Sequence, residues 1–285
     1  MAGAEGGNAV VGRDDRGKLA TVAVPRCLTI ASSDSGGAAG IQADLKAFAS
    51  LGCHGTSAVV ALTAQNSVGV AAVHEAPAAF IRAQLDAILG DIGVDAAKTG
   101  MLFSASIIDT VADFLVGRAL PLVVDPVMVA ASGARLLQDD AIAVLVERLL
   151  PLAAVVTPNL HEAAVLAGVP YDEDADRRAL AEAIHALGPG AVVVTGGHGS
   201  EAVDWLFDGA EHVPIPVARY GEETTHGAGC THSASLTALL ARGESLEDAA
   251  RAAAEIASEA VRNGYAAGAG SGPVDVLDLA RLRAR

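Results

Sequence analysis

Thr224 to Ala241 reads TTHGAGCTHSASLTALLA, a glycine-rich turn (Thr224–Ser233) that runs directly into an apolar, alanine-rich segment (Ala234–Ala241). If the segment is a helix, the turn is its N-terminus. The amides of residues 227–230 then point out of the helix end with the positive pole of its dipole behind them, which makes a place for an anion. Cys230 sits at that end, where a thiol is expected to have a lowered pKa and to accept a proton near neutral pH. The plain structural alternative is a glycine loop with a buried cysteine. GxGC matches neither GxxxxGK[ST] nor GxGxxG, so the turn by itself does not decide between them.

Working outward, the chain from Val22 alternates short β-branched runs with longer amphipathic stretches, the pattern of β/α units over a mostly parallel sheet. Strands are expected at 27–31, 55–64, 96–101, 120–127, 153–158 and 191–197, with helices at 38–51, 77–90, 104–117, 139–150, 159–167 and 175–187. The first helix puts Ile41, Leu45 and Phe48 on one face. VDWLFDG followed by EHVPIPV predicts an antiparallel hairpin turning at Asp208-Gly209. A last helix starts at Ser245 as N-cap and ends near Gly264. The expected fold is α/β: a three-layer, doubly wound, mostly parallel sheet flanked by helices, in one domain over 21–285. Residues 1–20, rich in Gly and Ala, read as a disordered tail.

Composition narrows the class. A net charge of −15 and a pI near 4.8 speak against a nucleic-acid partner. No apolar run approaches the roughly 18 residues needed to span a bilayer, which predicts a soluble protein and no membrane partner. Cys27, Cys53 and Cys230 are odd in number and form no CxxC pair, as suits a reducing cytoplasm. Cys27 and Cys53 read as core filler.

In such a sheet ligands collect beyond the carboxyl ends of the strands, so the strand-to-helix junctions carry the chemistry. Asn159 and Glu162 open a helix after Pro158; they are either Mg²⁺-organising oxygens or a capping box. Asp125 ends the apolar run LPLVV, as an active-site carboxylate or a turn cap. SSDSGGAAG (32–40) has the small side chains that admit a flat ligand, and Asp34 adds a carboxylate. Gln65 and Asn66 offer paired donors and acceptors for a heterocycle edge, or simply a solvated turn. His226 and His232 lack a third metal ligand and read as solvent-exposed or capping residues.

Seven segments, CLTIASSDSGGAAGIQADLKAFASLG, ALTAQNSVGV, AAKTGML, VVDPVM, TPNLHEAAVL, GGH and THGAGC, in this order and spacing, resemble the hydroxymethylpyrimidine/phosphomethylpyrimidine kinases of thiamine biosynthesis, within the ribokinase-like superfamily. The resemblance covers about residues 24–274. It implies ATP as co-substrate, Mg²⁺ as cofactor and a homodimer. By position it implies that Gln65 hydrogen-bonds an aminopyrimidine, with Ser32, Asp34, Met101 and Val127 in the same pocket. It further implies that Cys230 is catalytic, with Thr225, Gly227 and Gly229 around the transferred phosphoryl. Asn159, Thr195 and Gly197 fall to ATP, and Asp125 and Glu162 to the metal.

Four positions depart from the family pattern: Ser32 and Ala38 stand where Gly is common, and Ala131 and Thr195 where Lys is common. The GxGC turn also occurs in pyridoxal kinases, so a pyridoxal or dual kinase is the nearest rival. A pyrimidine sensor without turnover is the rival of another class.

Overall fold

The computed structural model describes residues 23–129, 136–197, 201–279 and 281. Residues 1–20, Ala131 and the histidine of GGH lie outside them. In chain order the elements are β1 (Arg26–Asp34), α1 (Gly40–Ser50), β2 (His54–Asn66), β3 (Gly69–Glu75), α2 (Ala78–Ala87), β4 (Ala96–Thr99), α3 (Ala105–Leu115), β5 (Leu122–Val124), α4 (Asp139–Val144), β6 (Val155–Val156), α5 (Leu160–Ala167), α6 (Arg177–His185), β7 (Val192–Val194), β8 (Val203–Phe207), β9 (His212–Pro216), α7 (Ala228–Ala241) and α8 (Leu246–Arg262). All nine strands form one sheet in the order β3-β2-β1-β4-β5-β6-β7-β8-β9.

The strands from β2 to β7 run parallel, and β3, β8 and β9 are antiparallel at the two edges. The central strands are apolar on both faces because helices cover both. One layer holds α2 to α6 against Leu28, Ile30, Val60, Leu122, Val124, Val156 and Val192. The other holds α1, α7 and α8 against Cys27, Val123, Val155 and Val193. Cys27 and Cys53 are core residues, as expected. Ile41 and Phe48 of α1 are buried, while Leu45 is only partly covered.

The predicted hairpin is β8–β9, with Asp208 Oδ1 accepting from the amides of Ala210 and Glu211 across the turn. Ser245 caps α8 by accepting from Asp248 N at 3.2 Å. Two features differ from expectation. The strand β3 was not anticipated; its side chains are small and mostly exposed, so no alternation marks it. The helix α7 begins at Ala228 rather than Ala234, which places Cys230 within its first turn. Among the described residues no helix is long and apolar enough to cross a membrane.

Candidate active site

Every junction singled out from the sequence lies at the carboxyl end of the sheet, and α7 joins them. Its first i→i−4 bond runs from Thr231 N to Gly227 O at 2.9 Å, so the amides of Gly229 and Cys230 precede the helical ladder and face outward. Gly227, at φ 90°, is required twice over: the conformation is left-handed, and a Cβ there would lie 1.9 Å from Ala38 O. The glycine turn is therefore packed directly on the loop that follows β1.

That loop is organised by Asp34. Its Oδ1 accepts from Gly36 N at 2.7 Å, and its Oδ2 accepts from Ala38 N at 3.0 Å and Ala39 N at 2.9 Å. The carboxylate expected at the substrate thus spends both oxygens on backbone amides and shapes the loop. Ser32 is likewise pinned, its Oγ donating to Met101 O at 2.9 Å, which brings two predicted pocket residues together. Val127 stands half-buried two residues beyond Asp125. Gln65, at the end of β2, is half-buried with its carboxamide beside Thr63 and His226.

His226 and His232 correct an expectation: both are buried, not exposed. His232 Nε2 lies 3.2 Å from Asp204 Oδ2, and Asp204 Oδ1 accepts from Gly196 N at 2.5 Å. Asp204 therefore ties α7 to the Thr195–Gly197 loop, where Arg219 also donates to Gly196 O at 2.7 Å. Thr195 N donates to Pro158 O at 2.9 Å, setting Thr195 alongside Asn159. Gly197 and Gly229 are exposed, and Thr225 is half-buried beside Ser271.

Asn159 and Glu162 do form the capping box: Asn159 Oδ1 accepts from Glu162 N and Glu162 Oε2 accepts from Asn159 N, both at 3.0 Å. Glu162 Oε1 also accepts from Met128 N at 3.1 Å. Burial and the neighbouring Asp125 push the Glu162 carboxyl up to about 7. Two neighbouring carboxylates that repel one another supply oxygen donors of the kind a divalent cation takes. Among the described residues no group of three or more His, Cys, Asp or Glu converges on one point. The donor set fits Mg²⁺, which keeps several waters and takes phosphate oxygens.

Beneath the turn lies a charge network that spacing did not reveal. Lys98 is fully buried on β4, with Nζ 2.7 Å from Asp44 Oδ1 and 3.8 Å from Asp125 Oδ2. Asp44 Oδ2 accepts from Thr29 Oγ1 at 2.6 Å, and Asp125 Oδ2 accepts from Ser233 Oγ at 2.8 Å. Burial opposes the Lys98 charge, but the Asp44 and Asp125 carboxylates outweigh it and hold the ammonium above its usual range. Burial likewise pushes the Asp44 carboxyl up, against Lys98 and Thr29. Two hydrogen bonds on its oxygens mark it as the ionised partner.

Cys230 departs from the expectation of a lowered pKa. Its thiol is only partly accessible, and burial pushes it up to about 12. Lys98 and the Gly40 amide pull it down, while Asp44 and Asp125 oppose them. Desolvation thus outweighs Lys98 and the Gly40 amide, and near pH 7 the free protein carries a neutral thiol.

The chain is similar to known proteins over most of its length. The family model described as phosphomethylpyrimidine kinase matches residues 34–275. A hydroxymethylpyrimidine/phosphomethylpyrimidine kinase of Streptomyces coelicolor is 48 % identical over 255 residues, which is 89 % of this chain and 95 % of that one. A Bacillus subtilis pyridoxal kinase solved with ADP superposes with a TM-score of 0.83 at 39 % identity, over 90 % of this chain and 99 % of that one. A phosphomethylpyrimidine kinase of Clostridium difficile gives 0.71 at 39 % identity, over 80 % and 96 %. With the ordered junction motifs, the one sheet and the match over residues 34–275 in agreement, the chain belongs to the phosphomethylpyrimidine kinase family.

Proposed function

We propose that this chain transfers the γ-phosphoryl group of ATP to the hydroxymethyl oxygen of 4-amino-5-hydroxymethyl-2-methylpyrimidine, and then phosphorylates the monophosphate to the diphosphate, in thiamine biosynthesis. The observation that carries the reading is that one turn touches both ends of the reaction. His226 lies 3.3 Å from Gln65 on one side, and Ser233 donates to Asp125 at 2.8 Å on the other. Gln65 recognises the pyrimidine edge, with Ser32, Met101, Val127 and the loop shaped by Asp34 enclosing the ring. Thr225, Gly227 and Gly229 surround the phosphoryl group, and Asn159, Thr195 and Gly197 hold the nucleotide.

Mg²⁺, when bound, neutralises phosphate charge and polarises the transferring group. Asp125 and Glu162 would hold it through oxygens and water. The amides of Gly229 and Cys230 face the charge that develops on the phosphoryl oxygens. Cys230 receives the hydroxyl proton in the first step, once ionised beside Lys98. The second step attacks through a phosphate oxygen whose second pKa is about 6, so that oxygen needs no base.

The two steps therefore respond differently to Cys230. Cys230→Ala is expected to cost the first phosphorylation about 10²-fold or more and the second only a few-fold. Because the free thiol is neutral, kcat/KM of the first step should also climb about tenfold per pH unit from 6 to 9, with the second step nearly flat once its phosphate is ionised. Separate assays with the alcohol and its monophosphate decide this; equal losses sink the base assignment. The likeness to pyridoxal kinases supports a secondary activity on pyridoxal, which competition between the two alcohols at equal concentration measures. We assign the chain to the cytoplasm and, as in the family, to a homodimer, which sedimentation tests.

A further inference from the structure

The imidazole of His226 has no part in the transfer just described, yet it is 7 % exposed and stands between the two halves of the site. Its Nε2 lies 3.3 Å from the nitrogen of the Gln65 carboxamide and 4.0 Å from Asp34 Oδ2. The backbone leaves the ring little freedom. His226 N donates to Gly272 O and His226 O accepts from Val274 N, both at 3.1 Å.

A carboxamide turned over by half a rotation keeps its shape and exchanges its donor for its acceptor, so only its neighbours decide which way it faces. Here the neighbours are Thr63 and His226. Thr63 Oγ1 lies 3.0 Å from Ser33 O and 3.1 Å from Gln65 Oε1, but it has one proton to give. With the amide oxygen toward Thr63, the two acceptors compete for its one proton. With the amide nitrogen toward Thr63, the hydroxyl donates to Ser33 O and accepts from Gln65, and the amide oxygen accepts from His226 Nε2–H. Asp34 Oδ2, 4.0 Å from that nitrogen, is a further acceptor on the same side. Every group is then satisfied, and Gln65 keeps one N–H and one oxygen lone pair for a ligand.

We propose that His226 fixes the sense of the Gln65 carboxamide, with its oxygen toward the imidazole, and is thereby a positioning residue for recognition of the aminopyrimidine edge. The inference rests on Gln65 being the pyrimidine contact. An aminopyrimidine offers a ring-nitrogen acceptor beside an amino donor, the complement of one amide N–H and one amide oxygen. A reversed amide sets donor against donor and acceptor against acceptor, leaving polar groups unpaired. Since His226 immediately precedes Gly227, the same residue joins substrate recognition to the catalytic turn.

The test is steady-state kinetics on the full chain for His226→Leu, His226→Gln, Gln65→Ala and the Gln65→Ala/His226→Leu pair. His226→Leu should raise KM for the pyrimidine alcohol about tenfold or more while KM for ATP stays within about twofold. His226→Gln, whose amide N–H reaches the same place, should recover most of that loss. In the Gln65→Ala background His226→Leu should add almost nothing, because the group it positions is gone. Additive losses, or equal shifts in both KM values, overturn the positioning role while a raised KM in Gln65→Ala keeps the pyrimidine reading. An unchanged KM in Gln65→Ala overturns both. Should His226→Leu not fold, His226→Asn, too short to reach Gln65, replaces it, and equal KM for the Asn and Gln variants overturns the proposal. Nitrogen-15 NMR of the wild-type imidazole should find Nε2 protonated; an unprotonated Nε2 overturns the assigned sense.

Discussion

The state of the Cys230 thiol is set by desolvation, which outweighs the Lys98 ammonium and the Gly40 amide. Alkylation of the free enzyme by iodoacetamide should therefore accelerate about tenfold per pH unit from 7 to 10 without a plateau, since only the thiolate reacts. A rate that levels off below pH 9 contradicts the raised pKa. Cys27 and Cys53 are buried and should stay unmodified until the chain unfolds. Lys98 governs stability as well as charge. Lys98→Met leaves Asp44 buried with Thr29 as its remaining hydrogen-bond partner, which should cost about 3–5 kcal/mol in a denaturant titration. Adding Asp44→Asn should return part of it. These two residues were not legible in the sequence. Lys98 stands in an apolar run and its partner lies far upstream in α1, with no spacing that links them. The glycine turn, Asp125 and the Asn159–Glu162 box were legible because each occupies a junction, where position alone restricts what a polar residue can do.

At the scale of elements, α7 unites the site. Ala234 and Ala238 face α1, Leu236 and Leu239 face the sheet, and Ser233 reaches Asp125, so the helix is buried all round and carries small side chains. That composition hid its start, because Thr231 to Ser233 read as polar turn residues although the helix already runs through them. The first loop and α7 meet at Gly227 without room for a methyl group. Gly227→Ala should cost about 1–3 kcal/mol through backbone strain and remove nearly all phosphoryl transfer while circular dichroism stays native. Activity near wild type would show that the loop can retreat. The missed strand β3 has a related cause: a sheet edge solvated on both sides needs no apolar alternation, so the pattern that exposes β2 is absent from it.

Across the whole molecule, the mostly parallel sheet could be read from the alternation of apolar runs, while the return of residues 264–275 to the site could not. Residues 264–275 return to the catalytic turn: Gly272 N donates to Glu223 O at 2.8 Å, His226 pairs with Gly272 and Val274, and Gly270 N reaches Ser67 Oγ at 3.2 Å. These bonds are backbone contacts over irregular chain, which leave no mark in hydrophobic periodicity. Gly272 is tightly enclosed, since a Cβ there would lie 2.2 Å from Tyr265 O. Gly272→Ala should lower kcat/KM about tenfold or more with a modest fall in Tm, read by assay and thermal melt together. An unchanged kcat/KM would show that this return is dispensable. The same feature sets an order in time. All nine strands and α7 precede residues 272 and 274 in the chain, so the backbone rungs that seat His226 are among the last contacts a growing chain can make.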